Sequence, residues 1–125
     1  SQFYALKALS ILEGAYTNED LVRAGNYGGM AIEICPTTIL HSISYPLTAY
    51  YNVPHGKALG YLLPRVCEHY GFDLKGLIPN PPIILENIDW EFVCKESLKY
   101  DKIYNTKKEI NYKILKKILK KTWLY

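Results

Sequence analysis

Apolar residues recur at helical spacing through most of this chain, and the strict alternation of a half-buried strand is almost absent. That pattern restricts the fold to a packing of helices. Phe3, Leu6, Leu9 and Leu12 form a first stripe that stops near Gly14. Thr17, followed by Asn18, Glu19 and Asp20, reads as an N-cap with an acidic first turn leading into Leu21, Val22, Tyr27, Met30, Ala31 and Ile34. Gly25, Gly28 and Gly29 each weaken that helix by roughly a kcal/mol relative to Ala, so close approach of another backbone is the expected compensation.

Pro36 suits the first turn of a third helix carrying Ile39, Leu40, Ile43 and Leu47, and Pro46 is expected to kink or end it. His55 and Gly56 open a fourth, with Leu59, Leu62, Leu63, Val66 and Cys67 near one side and Pro64 as a kink. The stretch GFDLKGLIPNPP, residues 71–82, is rich in Gly and Pro and reads as a loop. A helix follows around Trp90 to Tyr100, and another begins at Thr106, where Thr106 and Glu109 match a capping box. The expected class is all-α. At 125 residues and 49% apolar composition, the chain can bury a core as one helical domain spanning residues 1–125.

Cys35, Cys67 and Cys94 are odd in number, widely spaced and without a CxxC pair, which fits free thiols in a reducing compartment. The cytoplasm is the expected location. The start lacks the basic segment and small-residue cleavage site of a signal peptide, and no window holds the roughly 18 consecutive apolar residues of a membrane span.

The net charge of +3 is unevenly spread: residues 101–125 carry eight lysines against Asp101 and Glu109, a net of +6, leaving residues 1–100 at −3. Ile110, Ile114, Leu115, Ile118 and Leu119 fall on one helical face, and Lys113, Lys116, Lys117, Lys120 and Lys121 mostly on the other. A solvated surface helix is favoured, since lysines near a helix C-terminus complement its dipole. The alternative is a non-catalytic helical module or accessory subunit whose basic helix binds a partner or nucleic acid. That reading needs exposed aromatics among the basic residues, and Trp123 is the one plausible stacking ring, so no nucleic acid is expected.

HSISYPLTAYYNVPHGKALGYLLP, residues 41–64, holds His41 and His55, each beside a turn or a helix start. Imidazole is the commonest nitrogen ligand for Zn, Fe and Ni, and a helix, a proline and a short connection can bring two rings together. A separation of 14 positions matches no compact zinc-finger spacing, so a packed core histidine is the competing reading. Tyr45, one turn after His41, either packs beneath it or offers its phenol to a ligand.

The stretch as a whole resembles the metal-binding signature of the iron-dependent alcohol dehydrogenases, which share the dehydroquinate synthase-like fold. His41, Pro46, Leu47, Tyr51, Pro54, His55, Gly56, Ala58, Leu62, Leu63 and Pro64 stand at the family's offsets. LEGAYTNEDLVRAGNYGGMAI upstream and, more faintly, SLKYDKIYNTKKEI downstream are similar to neighbouring segments of the family. Tyr45, where many members carry a second histidine, and Thr48, where they carry glycine, place the chain closer to a branch resembling phosphonoacetaldehyde reductases.

The resemblance implies a C-terminal helical, metal-binding part of a longer two-domain enzyme. Its cofactors would be Fe2+, or Zn2+ in substitution, and NAD or NADP held mainly by an N-terminal dinucleotide-binding domain. The implied activity is that of an alcohol dehydrogenase or aldehyde reductase on a small alcohol or aldehyde, the metal polarising the substrate oxygen for hydride transfer. His41 and His55 would be metal ligands and Tyr45 a catalytic residue on the substrate or nicotinamide side of the cleft. The family's other ligand pair, D-x-x-x-H, is not matched: no aspartate here has a histidine four positions later. No glycine-rich strand-to-helix turn offers amides to a pyrophosphate. The isolated chain is therefore expected to be inactive, and its apolar first helix to favour self-association into a homo-oligomer.

Overall fold

The computed structural model describes residues 2–34, 37–72 and 85–120, and every described element is helical. The helices are α1 (Gln2–Leu12), α2 (Asn18–Ile34), α3 (Ile39–Tyr51), α4 (His55–Tyr70), α5 (Trp90–Ser97) and α6 (Tyr112–Lys120), with a 3-10 turn at Asp101–Tyr104. They cluster into two compact units, residues 1–37 and residues 38–125.

The first unit is a pair of helices. Thr17 caps α2 as the sequence suggests, and the bond is reciprocal. The Asp20 N–H donates to Thr17 Oγ1 at 3.2 Å, while the Thr17 N–H and hydroxyl donate to Asp20 Oδ2 at 3.0 and 2.8 Å. Asp20 thus does the work of the glutamate in a capping box. The Tyr4 ring stacks on Tyr27 at 6.4 Å between centroids. Beyond that little is enclosed: α1 has no buried residue, and α2 only Ala24. Among the described residues the expected close packing at the glycines is not found, because a Cβ added at Gly25, Gly28 or Gly29 would meet nothing there within 4 Å.

The second unit carries the core. Ile39, Ile43 and Leu47 recur every four residues on α3 and join one cluster with Ala58, Leu62 and Val66 of α4 and Val93 and Cys94 of α5, which Leu115, Ile118 and Leu119 of α6 close by packing on α4 and α5. Ile103 of the 3-10 turn and Ile110 complete the cluster. Burial of this set, at roughly 1.5–3 kcal/mol for each large side chain, outweighs the local cost of two prolines. Pro46 and Pro64 both lie inside their helices, so neither ends the helix that holds it. Pro46 is itself buried. Pro36 and the loop at 73–82 lie outside the described residues.

Three ends show why the elements stop where they do. α3 closes at Asn52, which takes the left-handed conformation (φ 53°) that Asn tolerates. α4 ends in a Schellman arrangement at Gly71 (φ 85°), with the Gly71 N–H donating to the Glu68 carbonyl at 3.0 Å and that of Phe72 to Cys67 at 2.9 Å. α6 starts at Tyr112, later than expected. The Thr106 hydroxyl bonds the Tyr70 hydroxyl and accepts from the Lys108 N–H at 3.4 Å, but no helix begins there for the proposed capping box to serve, and Asn111 caps α6 instead, its Oδ1 accepting from the Ile114 N–H at 3.0 Å.

Candidate functional site

On α3 the residues at 39, 43 and 47 point into the core, so 41 and 45 lie on a different face of the same helix. α4 begins at His55, only three residues after α3 ends, so its first turn comes back beside that face. The result is a cluster. The His41 and His55 ring centroids are 5.4 Å apart, and Tyr45 stacks on His55 at 6.2 Å and 13° between planes. Tyr45 also meets His41 at 6.5 Å, and its other neighbour is Tyr100, edge-on at 5.0 Å. Lys102, on the 3-10 turn, places its Nζ 5.9 Å from the Tyr45 ring centre.

Ser44 settles the state of one imidazole. It is fully buried, and its hydroxyl donates to the His41 carbonyl at 2.8 Å. That uses its single proton. The 3.3 Å contact between Ser44 Oγ and His55 Nδ1 is therefore a bond donated by the ring, which puts the proton on Nδ1 and leaves the lone pair on Nε2. A ligating histidine is typically oriented in this way, by an acceptor on its other nitrogen. His41 is held below the ordinary imidazole pKa by burial first, then by the neighbouring His55 and by Lys102. It is thus neutral and has a lone pair to give near pH 7.

A divalent metal holds an imidazole nitrogen at about 2.0–2.1 Å, so two rings on one ion have centres about 5 Å apart. The observed 5.4 Å fits that requirement. Among the described residues no group of three His, Cys, Asp or Glu side chains forms a metal-binding cluster, so the pair supplies at most part of a ligand shell. His69 is not brought to the pair. It lies near the end of α4 with its Nε2 buried, and Lys108 donates to its carbonyl at 2.8 Å. Burial, Lys108 and Lys117 lower its pKa.

The sequence pointed to His41, His55 and Tyr45, and the structure sets these three side by side. Ser44, Tyr100 and Lys102 were not singled out. Ser44 could have been found as a small polar residue on an apolar helix, on the turn between the two aromatic positions. Elsewhere, Cys67 and Cys94 are free thiols, and burial pushes the Cys94 thiol up to about 11. Lys116 of the basic helix pairs with Glu91. No helix among the described residues is long and apolar enough to cross a membrane.

Residues 4–119 match the Fe-containing alcohol dehydrogenase family, C-terminal. The chain belongs to that family. It is 31% identical over 86 residues to 4-hydroxybutyrate dehydrogenase of Clostridium kluyveri, covering 68% of this chain and 22% of that protein. It is 31% identical over 80 residues to lactaldehyde reductase of Escherichia coli K12, covering 57% and 21%. Phosphonoacetaldehyde reductase of Streptomyces viridochromogenes is 41% identical over 49 residues, 39% of this chain and 12% of that protein. The matches thus span about a fifth or less of these relatives. Among solved structures, an iron-containing alcohol dehydrogenase from Thermotoga maritima superposes with a TM-score of 0.70 at 22% identity, over 97% of this chain and 42% of that one. The all-helical fold is thus that of a helical part of such an enzyme.

Proposed function

We propose that this chain is the metal-binding, substrate-facing part of a nicotinamide-dependent alcohol dehydrogenase or aldehyde reductase. The observation that carries the proposal is the imidazole pair 5.4 Å apart, one ring neutral through burial and the other held at Nδ1 by Ser44, which leaves the Nε2 lone pair for ligation. The family supports an oxidoreductase parent, and the names of the relatives describe interconversion of small alcohols and aldehydes.

Fe2+ or Zn2+, when bound, supplies a Lewis acid for the substrate oxygen while hydride passes between the substrate carbon and the nicotinamide. The residues of this chain have narrower tasks. His41 and His55 hold the ion, and Ser44 keeps the His55 ring from rotating. Tyr45, stacked on His55, fixes the plane of that ring and forms the wall against which a small alcohol or aldehyde lies. Its phenol is the group we assign to the substrate side.

The remaining ligands and the NAD or NADP pocket belong to other parts of the parent protein, with an N-terminal dinucleotide-binding domain as the partner. Alone, the chain is expected to show no dehydrogenase activity. A reducing cytoplasmic setting suits its free thiols, and homo-oligomer formation through the exposed first helix remains part of the proposal.

The test is anaerobic titration of the full-length protein with Fe2+ and Zn2+ by calorimetry. Replacing His41 and His55 together by Ala should abolish tight binding and NAD(P)-linked aldehyde reduction. Ser44→Ala should weaken binding about 10–100-fold and move the 15N signals of His55 toward a mixture of tautomers. Unaltered affinity and activity in the double variant would overturn the assignment.

A further inference from the structure

Beside the imidazole pair stands a cation that no described acid neutralises. Lys102 is exposed, and among the described residues no carboxylate lies within ion-pair distance of it. Its neighbours in the same region behave differently: Lys99 pairs with Glu96, Lys116 with Glu91, and Lys108 donates to the His69 carbonyl. Lys102 instead leans over the face of Tyr45, the ring that stacks on His55.

The position is built, not incidental. Ile103, the next residue, is fully buried in the core, and its N–H donates to the Tyr100 carbonyl at 3.0 Å, which fixes the turn from which Lys102 projects. Tyr100, at the head of the same turn, packs on Tyr45 at 5.0 Å. A contact with one ring face at an exposed site is weak and leaves the three ammonium protons free to donate. An anion arriving beside Tyr45 would meet that charge with no rival carboxylate to displace.

We propose that Lys102 binds the far end of the substrate, and that the substrate class is a short aldehyde or alcohol carrying a carboxylate or phosphonate remote from the reacting carbon. This rests on the reading of His41 and His55 given above, since it places the reacting oxygen at the imidazole pair and the anionic end at the lysine. The shared chemistry is an oxyanion recognised by an ammonium group, and charge-assisted bonds of this kind are stronger than neutral ones.

The experiment uses the full-length, metal-loaded protein with its nicotinamide. The probes are 4-oxobutanoate, phosphonoacetaldehyde and butanal, each assayed with the native protein and with Lys102→Gln and Lys102→Arg. In Lys102→Gln, kcat/KM for an anionic aldehyde relative to butanal should fall about tenfold, through KM, and Lys102→Arg should recover most of that ratio. A fall for 4-oxobutanoate alone identifies a carboxylate end, and a fall for phosphonoacetaldehyde alone identifies a phosphonate. An unchanged ratio for both overturns the proposal while leaving the dehydrogenase reading intact.

A second measurement does not depend on turnover. Titration with 4-hydroxybutanoate and with butane-1,4-diol compares the charged and neutral alcohols directly. A preference for the charged one that drops about tenfold in Lys102→Gln supports the lysine. Equal binding of the two by the native protein overturns it. Should no aldehyde be reduced at all, the dehydrogenase reading fails and this titration still decides the role of Lys102.

Discussion

The α1–α2 pair and the α3–α6 unit are both helical and both rich in apolar residues, yet only the second has an interior. In the first, Phe3, Leu6, Leu9, Val22, Ile32 and Ile34 remain exposed, Val22 to 73%. In the second, Ile39, Ile43, Leu47, Leu62, Val93, Ile103, Leu115 and Leu119 are fully enclosed. Two helices alone cannot surround a side chain, whereas four helices and a turn can. Helical periodicity therefore reports that a face wants cover, not that the same chain provides it.

The contrast is sharpest for truncations. Leu115→Ala or Leu62→Ala should cost about 2–5 kcal/mol, as expected for enclosed leucines, while Leu6→Ala should stay within about 0.5 kcal/mol, as for most surface changes. Urea unfolding followed by hydrogen exchange at individual helices would read both. Equal losses would mean that α1 is enclosed after all.

Acid should separate the units next. All three histidines lie in the second unit, and burial lowers the pKa of two of them, His41 and His69. A histidine whose folded pKa is depressed contributes stability above its unfolded value, near 6.5, and loses it as pH falls below that value through the folded pKa. In the first unit the corresponding group is the Asp20 cap. The Thr17 backbone and hydroxyl bonds hold that carboxyl below its usual 3.8, so its contribution persists above 3.8 and fades only below it. Amide exchange across pH 7.5 to 4.5 should therefore loosen α3 and α4 first, and substituting His41 and His69 by Gln should flatten that response.

How much of this was legible in the sequence depended on how local the deciding contact was. The helices and the Thr17 cap are set by residues within one turn, and they stand where the pattern puts them. The start of α6 is not: the bond between the Tyr70 and Thr106 hydroxyls, 36 positions apart, ties the preceding segment to α4, and no helix follows Thr106 for the box to cap. An end of α3 at Pro46 was left open for the same reason: the core packing that carries the helix past it comes from elsewhere in the chain. At the site, the two histidines and Tyr45 showed through their spacing and the family resemblance. Tyr100 and Lys102 did not, since a 3-10 turn has no periodic signature.

The smallest effect bears on the glycines of α2. With open space where each Cβ would stand, Gly28→Ala should stabilise that helix by about 0.5–1 kcal/mol. Calorimetric melting of the full-length parent would sharpen the comparison. A loss in place of a gain would reveal a neighbouring backbone lying against α2.

The short connection between α3 and α4 has one more consequence. His41 and His55 are joined by few residues, so their meeting requires only a small loop closure, while Tyr100 and Lys102 must be recruited from 45 or more positions along the chain. Low and high contact order thus coexist within a single site. The imidazole pair is expected to assemble early in folding with the α3–α4 hairpin, and the ammonium group opposite it to arrive only when the 3-10 turn docks.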